Sequence, residues 1–251
     1  MKKRHMTFLV LVVTLAFFAG YLWQTSHRLG ELTYSIQKIS EPGTDAKFKI
    51  DAEYPVILGG IPVSAKLKIN VDLEKWVKDS VEKSRVDFVE LATDPYIADR
   101  DLGLIYVGKV TVKNDFKKLP FINVSIETYY YSGGAHGITD VSSFVYDAYT
   151  GDKMSLDNIF IGDYLTLLSI LSLDALKEMD PKLETYVFAE DGTMADIKNF
   201  QTWTLEPDGI HIVFSDYQVG PYVVGRPKVV IPYSKLSPVL NTEFKKYENI
   251  Q

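Results

Sequence analysis

The chain has 251 residues, of which 46% are hydrophobic and 24% charged, an ordinary globular composition that is enough for one sizeable domain or two small ones. It contains no cysteine, which excludes disulfides, a thiolate nucleophile, a lipoprotein cysteine and cysteine-ligated metal sites. Residues 1–43 hold five Lys/Arg and two Asp/Glu. Residues 44–251 therefore hold 22 basic and 31 acidic residues and carry a net charge of about −9. Such a surface repels phosphate backbones and anionic lipid, which argues against nucleic-acid binding and against a domain lying on the membrane.

The N-terminal residues predict attachment to a membrane. Residues 1–5 are a basic flank, and residues 6–23, MTFLVLVVTLAFFAGYLW, carry no charge. Eighteen helical residues rise about 27 Å, close to the roughly 30 Å hydrocarbon core of a bilayer. The segment is an anchor or a cleaved signal peptide, and the bulky Phe17 two residues before Ala19 favours an uncleaved anchor. The positive-inside rule then predicts a single-pass cell-membrane protein whose C-terminal domain lies outside the cytoplasm, in a periplasmic or extracellular position.

The polar residues 24–45, with the break SEPGTD, are interpreted as a spacer before an extracytoplasmic domain at 46–251. This domain has a first segment at 46–128 and a motif-bearing segment at 129–240. In the first segment, AKFKIDAEYPVI and IPVSAKLKIN alternate apolar and polar residues and predict two strands. Asn70 or Asp72 is the predicted N-cap of an amphipathic helix that ends before Asp94.

The later elements are predicted from alternation and turn signals. GLIYVGKVTVKN and FINVSIETYYY predict a hairpin around DFKKLP, and ITDVSSFVYDAY predicts the next strand. A second amphipathic helix is predicted to start near Asp163 and to stop at Asp180-Pro181. QTWTLEPDGIHIVF predicts a hairpin with Asp-Gly at its turn, and PKVVIPYSKL closes the sheet with Pro232 at an edge or strand end. The predicted fold class is α+β: a mostly antiparallel sheet with two main amphipathic helices, preceded by one N-terminal transmembrane helix and without regular βαβ alternation.

The stretch ETYYYSGGAHG, residues 127–137, is a candidate loop for binding or catalysis. A phosphate-binding loop opens directly into a helix, whereas the residues after this one alternate as a strand. The glycines are therefore predicted to adopt positive φ in a turn between antiparallel strands. A general base needs an orienting carboxylate and a pocket, neither of which a sequence can show. The sequence therefore leaves three roles open for His136: a structural residue of the turn, a ligand contact or a catalytic residue.

Other chemistry is weakly represented. The outer domain has only His136 and His211, without HExxH spacing, and it has no EF-hand pattern, so no metal and no other cofactor is predicted. SxxK occurs at Ser35 and Ser80 without the companion motifs of serine acyl-enzymes, and no pair of carboxylates stands out for glycosidase chemistry. No catalytic residue is assigned.

The aromatic residues are more suggestive of binding. Tyr129 and Tyr131 are predicted on one face of their strand and Tyr130 on the other, while Tyr217 and Tyr222 flank the QVGP stretch. Aromatic faces with a polar tip bind sugars or a protein partner, or else they pack inside the domain itself.

Three stretches in this order, YYYSGGAHG, SFVYDAYTGDKMSLDNIF and DGIHIVFSDYQVGPYVVGRPKVVIPYSKL, resemble a largely uncharacterised extracytoplasmic domain. That domain is shared by lysozyme-binding anti-sigma factors of the sigma-V type and by the non-catalytic N-terminal region of certain peptidoglycan deacetylases. The resemblance implies an α+β domain at a bacterial cell envelope, in some members a receptor for lysozyme. With five residues before the membrane segment and none after Gln251, neither a sigma-factor-binding region nor a deacetylase domain is expected. The motif positions that the resemblance marks for structure or binding are Gly133, Gly134, His136, Gly137, Tyr217, Gly220, Pro221, Tyr222 and Gly225.

The leading prediction is a membrane-anchored, non-enzymatic binding domain for cell-wall glycan (peptidoglycan) or for a cationic envelope protein such as lysozyme. Its binding surface is predicted at the YSGGAHG turn together with the YQVGPY loop. One alternative is a peptidoglycan-acting envelope hydrolase with His136 as base and one unidentified carboxylate. Another is a structural module that partners a second envelope protein.

Overall fold

The computed structural model describes residues 28–42, 48–94, 104–180 and 187–248. Over these ranges the chain forms a five-stranded sheet, a three-stranded sheet and five α-helices, which confirms the α+β class. No helix within the described ranges is long and apolar enough to cross a bilayer, and the predicted anchor at 6–23 lies outside them.

The five-stranded sheet has the spatial order β1-β2-β3-β4-β5. All its neighbours are antiparallel except β2 and β3, which are parallel over four residues of each strand. Its strands are β1 (Thr33–Pro42), β2 (Phe48–Gly59), β3 (Leu104–Asp115), β4 (Leu119–Tyr131) and β5 (Ile138–Asp147). The predicted hairpin is therefore confirmed as β3–β4, and the strand after the glycine turn is confirmed as β5.

The interpretation of residues 24–45 as a spacer is wrong for residues 33–42, which form strand β1. It pairs along its length with β2, Lys38 forms a 2.7 Å ion pair with Glu53, and Ile39 packs against the core. An edge strand needs a partner's backbone and only part of one apolar face, so a mostly polar segment can still complete a sheet. The polar composition that indicated a spacer is the composition of an exposed edge.

A second prediction is wrong, because residues 63–70 of IPVSAKLKIN form the first turns of helix α1 (Val63–Thr93) and not a strand. Its buried residues recur at helical spacing: Ala65, Ile69, Leu73, Val77, Val81, Ser84 and Phe88. The short alternating run fits a strand as well as a helix, and the four-residue spacing that continues beyond it resolves the ambiguity. The predicted end of the helix before Asp94 is confirmed.

Asn70 and Asp72 are not the caps that their residue types predicted. The Asn70 amide accepts from Ile57 N at 2.8 Å and donates to Ile57 O at 3.0 Å. Asp72 accepts from Tyr146 Oη at 2.6 Å. Both residues lie inside the helix, and their polar side chains make contacts with other elements. Since α1 connects the parallel strands β2 and β3, it forms one βαβ crossover that the sequence did not predict.

The second half of the chain forms a separate small sheet, which corrects the expectation of a single sheet. Its strands pair antiparallel in the order β6-β7-β8, and they are β6 (Trp203–Glu206), β7 (Gly209–Val213) and β8 (Lys228–Ile231). The remaining helices are α2 (Leu156–Ile159), α3 (Tyr164–Met179), α4 (Val187–Thr193) and α5 (Tyr233–Leu236). Helix α3 begins after Asp163, whose carboxylate accepts from Thr166 N, and it ends at Asp180, as predicted. Pro232 directly follows β8, an edge strand, as predicted.

The β6–β7 hairpin is confirmed, but its turn residues are Pro207 and Asp208 rather than Asp-Gly. Gly209 already pairs with Glu206 as the first residue of β7, with φ 150°. A Cβ at Gly209 would collide with the Ile231 carbonyl of the neighbouring strand β8. The glycine permits a close approach of two backbones, a demand that comes from the third strand and not from the turn.

Two hydrophobic cores result, one between α1 and the five-stranded sheet and one around β6–β8 and α3. Asn123 of β4 is 4% exposed and joins the two parts, accepting from Leu205 N at 2.9 Å and donating to Leu205 O at 2.8 Å. Trp203 N also donates to Ser143 Oγ at 2.7 Å. These contacts hold β6 beside β4 and β5, and they place the loop after β7 near the glycine turn.

Candidate functional site

The glycine turn connects β4 to β5, as the sequence predicted. Gly133 has φ 86°, and the Tyr131 hydroxyl donates to the Gly134 carbonyl at 2.9 Å, which fastens the turn to the end of β4. A Cβ on Gly137 would run into the ring of Tyr129. The turn is compact because Gly133 adopts a left-handed backbone and Gly137 leaves room for the Tyr129 ring.

The loop after β7 is fastened to the start of β5 by Asp216. Its carboxylate is 4% exposed, accepts from Thr139 N at 3.1 Å and lies 3.6 Å from the Arg226 guanidinium. Arg226 also lies 3.7 Å from Glu127 of β4. A buried carboxylate with a backbone donor and a cation as partners is well compensated. This contact brings the two predicted loops together.

The same loop is shaped by a short 3-10 turn, Tyr222–Val224, which follows Pro221. Gly225 ends it with φ 68° and donates its N–H to Tyr222 O at 3.0 Å. Gln218 holds the other side, since its amide donates to Gly192 O and to Asn199 O at 2.9 and 3.0 Å. The backbone around Tyr222 is therefore held in place by hydrogen bonds of Gln218 before it and of Gly225 after it.

His136, Tyr217 and Tyr222 meet at the surface, and we call these three residues the aromatic cluster. The rings of His136 and Tyr222 are stacked with centroids 4.2 Å apart, and those of Tyr217 and Tyr222 are 5.6 Å apart. Tyr217 is 45% exposed and Tyr222 is 41% exposed, so ring surface remains free for a ligand. Tyr217 and Tyr222, which are 81 and 86 positions after His136 in the chain, thus form one continuous surface with it.

The hydrogen bonds of the cluster determine the tautomer of His136. Its Nδ1 lies 3.0 Å from the Gly137 carbonyl, which can only accept, so Nδ1 carries the hydrogen. In the neutral imidazole Nε2 is then an acceptor, and Tyr217 Oη at 3.3 Å donates to it. No ion pair joins His136 to a carboxylate of the described part of the chain.

Tyr217 has φ 67°, and it is the sole non-glycine residue with positive φ among the described residues. A bulky side chain in this region costs about 1–3 kcal/mol, and such strain is retained where the surrounding structure imposes it. Asp216 before it and Gln218 after it are both fastened by the hydrogen bonds above. The strained backbone directs the phenol ring towards His136.

A polar groove of about 310 Å³ runs along β5, and it is lined by Ser215 and Gln218, the residues on either side of Asp216 and Tyr217 in the chain. Asp140 and Ser215 line it and are joined by a 3.1 Å hydrogen bond beside the Thr139–Asp216 contact. Further along, the groove is lined by Ser142, Lys198 and Gln201, whose side chains make no hydrogen bond or ion pair with another described residue. Trp76 of α1 closes it and meets Phe144 edge-on, with centroids 5.0 Å apart.

The structure sorts the predicted site residues by their position. His136, Tyr217 and Tyr222 form the surface, and the others shape or support the two loops: Gly133, Gly134, Gly137, Gly220, Pro221 and Gly225. Tyr130 faces the opposite side of β4 and stacks on Phe88 at 5.0 Å, as the strand alternation predicted. Whether these residues bind a ligand stays a prediction.

Sequence reasoning missed the groove and the fastening carboxylate. Asp140, Lys198, Gln201 and Asp216 carried no signal because their neighbours in space are far away in the chain. The second histidine, His211, is buried between Glu206 and Asp208 at 3.1 and 2.7 Å. Within the described ranges no group of side chains has the arrangement of a metal site.

Comparison with known proteins places these features in context. Residues 157–234 match the family described as "Protein of unknown function (DUF3298)", a stretch that contains the Tyr217–Gly225 loop but not the glycine turn. The peptidoglycan-N-acetylmuramic acid deacetylase PdaC of Bacillus subtilis (strain 168) is 30% identical over 146 residues, which make up 57% of this chain and 29% of that protein. The chain therefore spans less than a third of that relative.

Two crystal structures of DUF3298 family proteins share the fold of this chain. One, from Bacteroides fragilis, has a TM-score of 0.65 at 19% identity and covers 89% of this chain and 100% of its own. The other, from Pseudomonas aeruginosa PAO1, has a TM-score of 0.59 at 13% identity and covers 87% of this chain and 98% of its own. The similarity to sigma-V-type anti-sigma factors stays a prediction.

Proposed function

We propose that this chain is an extracytoplasmic binding module, held at the membrane by residues 6–23, that recognises cell-wall glycan without converting it. The observation that carries the proposal is the exposed aromatic cluster, together with a polar groove that is lined by Ser215 and Gln218 of the loop that carries Tyr217. Sugar rings have apolar C–H faces and polar edges, and the exposed tyrosine rings supply flat apolar surface with hydroxyl tips.

The groove adds the matching polar groups. Ser142, Lys198 and Gln201 offer a hydroxyl, an ammonium and an amide that make no hydrogen bond or ion pair with another residue of the described ranges. These groups can pair with sugar hydroxyl, carboxylate and acetamido groups respectively. The similarity of part of this chain to a peptidoglycan deacetylase supports a cell-wall glycan as the ligand class.

Co-sedimentation of the full-length chain in detergent micelles with purified peptidoglycan sacculi tests the proposal. The wild-type chain is expected in the pellet, and mass spectrometry of the supernatant is expected to show no released fragment. A His136→Ala, Tyr222→Ala double variant is expected to bind at least about tenfold more weakly, a loss of about 1.4 kcal/mol. Tyr149→Ala is the matched control, because Tyr149 is 44% exposed and lies at the other end of β5.

Three results would overturn the proposal. Released muropeptides or acetate, abolished by His136→Ala in a folded protein, would establish the hydrolase alternative. Failure to sediment, together with binding to lysozyme, would make a cationic protein the ligand, in keeping with the acidic surface. Equal binding by the double variant and the wild type would remove the aromatic cluster from the site.

A further inference from the structure

The first turns of α1 carry an unpartnered apolar stripe, which we define as Val63, Leu67 and Val71. These residues are 66%, 58% and 65% exposed, and their four-residue spacing puts them on one face of the helix. The opposite face, with Ala65 and Ile69, is buried in the core. Large aliphatic side chains exposed in a row on a regular helix mark a surface that another apolar phase covers.

The stripe is confined to the beginning of the helix. Further along α1 the exposed residues form ion pairs with one another, namely Glu74 with Lys78, Lys75 with Asp79 and Glu82 with Arg85. The exposed side of α1 therefore changes from apolar to charged as the helix proceeds. Val86 and Val89 are exposed near its far end, but they lie beyond these charged turns.

The N-terminal part of the chain joins the fold beside this stripe. Gly30 N donates to Gly60 O at 2.8 Å, and Gly60 is three residues before Val63. Gly60 has φ 91°, and a Cβ there would collide with Glu31, so the two segments are in close contact. The seven peptide units from Trp23 to Gly30 span at most about 25 Å when fully extended. The uncharged segment 6–23 must therefore end within that distance of Gly30, which is hydrogen-bonded to Gly60 just before α1.

We infer that the apolar stripe contacts the lipid bilayer in which residues 6–23 are embedded. This inference rests on the membrane attachment included in the proposed function. Lys66, whose Nζ donates to Leu58 O at 3.2 Å, lies within the same turns and supplies a cation at the level of the lipid headgroups. The acidic surface that argued against a membrane-bound domain is compatible with it, because the contact involves only one end of the molecule.

The aromatic cluster is near the other end of α1 and stays free in this arrangement. Phe88, near the far end of α1, stacks on Tyr130 next to the glycine turn, whereas Gly151, just after β5, packs on Ala65 near the stripe. Residues 67 and 88 are 21 positions apart, or about 30 Å along a helix. The cluster therefore lies about 30 Å from the stripe along α1, outside the proposed contact with the bilayer.

Site-directed spin labelling tests the inference directly, because the chain has no native cysteine. Leu67→Cys and the matched control Val86→Cys, on the same helix and 50% exposed, are labelled separately in the full-length chain and reconstituted into lipid vesicles. Flotation of the vesicles first reports membrane attachment. Collision with oxygen, which partitions into lipid, and with a water-soluble nickel chelate then reports the surroundings of each label.

The inference predicts that the label at residue 67 collides with the nickel chelate several-fold less often than the label at residue 86, and with oxygen more often. A chain that floats but shows equal nickel accessibility at both positions overturns the inference and leaves the attachment intact. Dipolar broadening at residue 67 overturns it as well, since a second copy would then cover the stripe. A chain that does not float refutes the attachment itself.

Discussion

The position of the aromatic cluster depends on a glycine that lets two backbone segments touch each other. Gly192 of α4 lies against the backbone of Gln218, directly after the strained Tyr217, and a Cβ there would collide with the Gln218 carbonyl. Gly137 is different, because its Cβ would meet only the outer part of the Tyr129 ring, which is 38% exposed and can turn away. The critical glycine of the site is therefore one that neither loop motif contains.

We predict that Gly192→Ala displaces the loop that carries Tyr217 and Tyr222. The added methyl group is expected to cost about 1–3 kcal/mol of unfolding free energy, as overpacking does, and to weaken ligand binding. Gly134→Ala is the matched control, because its Cβ would have 3.9 Å to the nearest atom and its φ is not in the positive range. Equal denaturant midpoints for the two variants would contradict the prediction.

Among the elements, β1 and α1 show how context decides between alternatives that look alike locally. β1 has the composition of a linker but pairs with β2 over ten residues. The first turns of α1 have the alternation of a strand, yet Asn70 satisfies the backbone of Ile57 in the part of β2 beyond its pairing with β3. For β1 the pairing partner, and not the local composition, determines the structure, whereas for α1 the four-residue spacing over the longer run does so.

A chain that starts at Thr44 is predicted to be less stable than one that starts at Arg28. Removing β1 exposes the backbone edge of β2 and the core beneath Ile39. We expect a loss of at least about 2 kcal/mol, or roughly 4–8 °C in melting temperature for a domain of this size. Thermal unfolding measures the difference, and light scattering reports the association expected at the exposed edge. Equal melting temperatures would show that β1 contributes nothing to the fold.

For the whole molecule, Glu206 is the main ionic link between the two sheets. Its carboxylate lies 3.1 Å from Lys113 of β3, 3.1 Å from His211 of β7 and 3.6 Å from Lys228 of β8. Burial acts to raise the pKa of Glu206, but the hydrogen bond from Lys113 and the attraction of His211 and Lys228 outweigh it and lower this pKa. The link is therefore charged in the folded state to a lower pH than a free carboxylate would be.

Stability is predicted to fall with acidification partly through this residue. A lowered folded-state pKa adds stability that is fully present above the unfolded value, about 4.3, and is lost as the pH falls through the lower folded value. The unfolding free energy of the wild type should thus decrease below about pH 5, and that of Glu206→Gln should decrease less steeply. Urea unfolding at a series of pH values measures both slopes. Parallel curves would assign the acid sensitivity to other carboxylates, such as Asp208, whose pKa is also lowered.

Local sequence determined the elements whose signals lie within a few residues. Alternation predicted β3, β4 and β5, and Asp163 and Asp180 marked the ends of α3, because periodicity and capping are properties of neighbouring residues. The two loops of the aromatic cluster were also predicted, from their turn residues and their resemblance to a known domain. Only the tertiary structure decided that β1 joins the sheet, that the strands divide into two sheets and that residues of β5 and of the Tyr217 loop line one polar groove. Those features depend on contacts such as Thr139 with Asp216, whose partners are 77 positions apart and carry no trace of each other in the sequence.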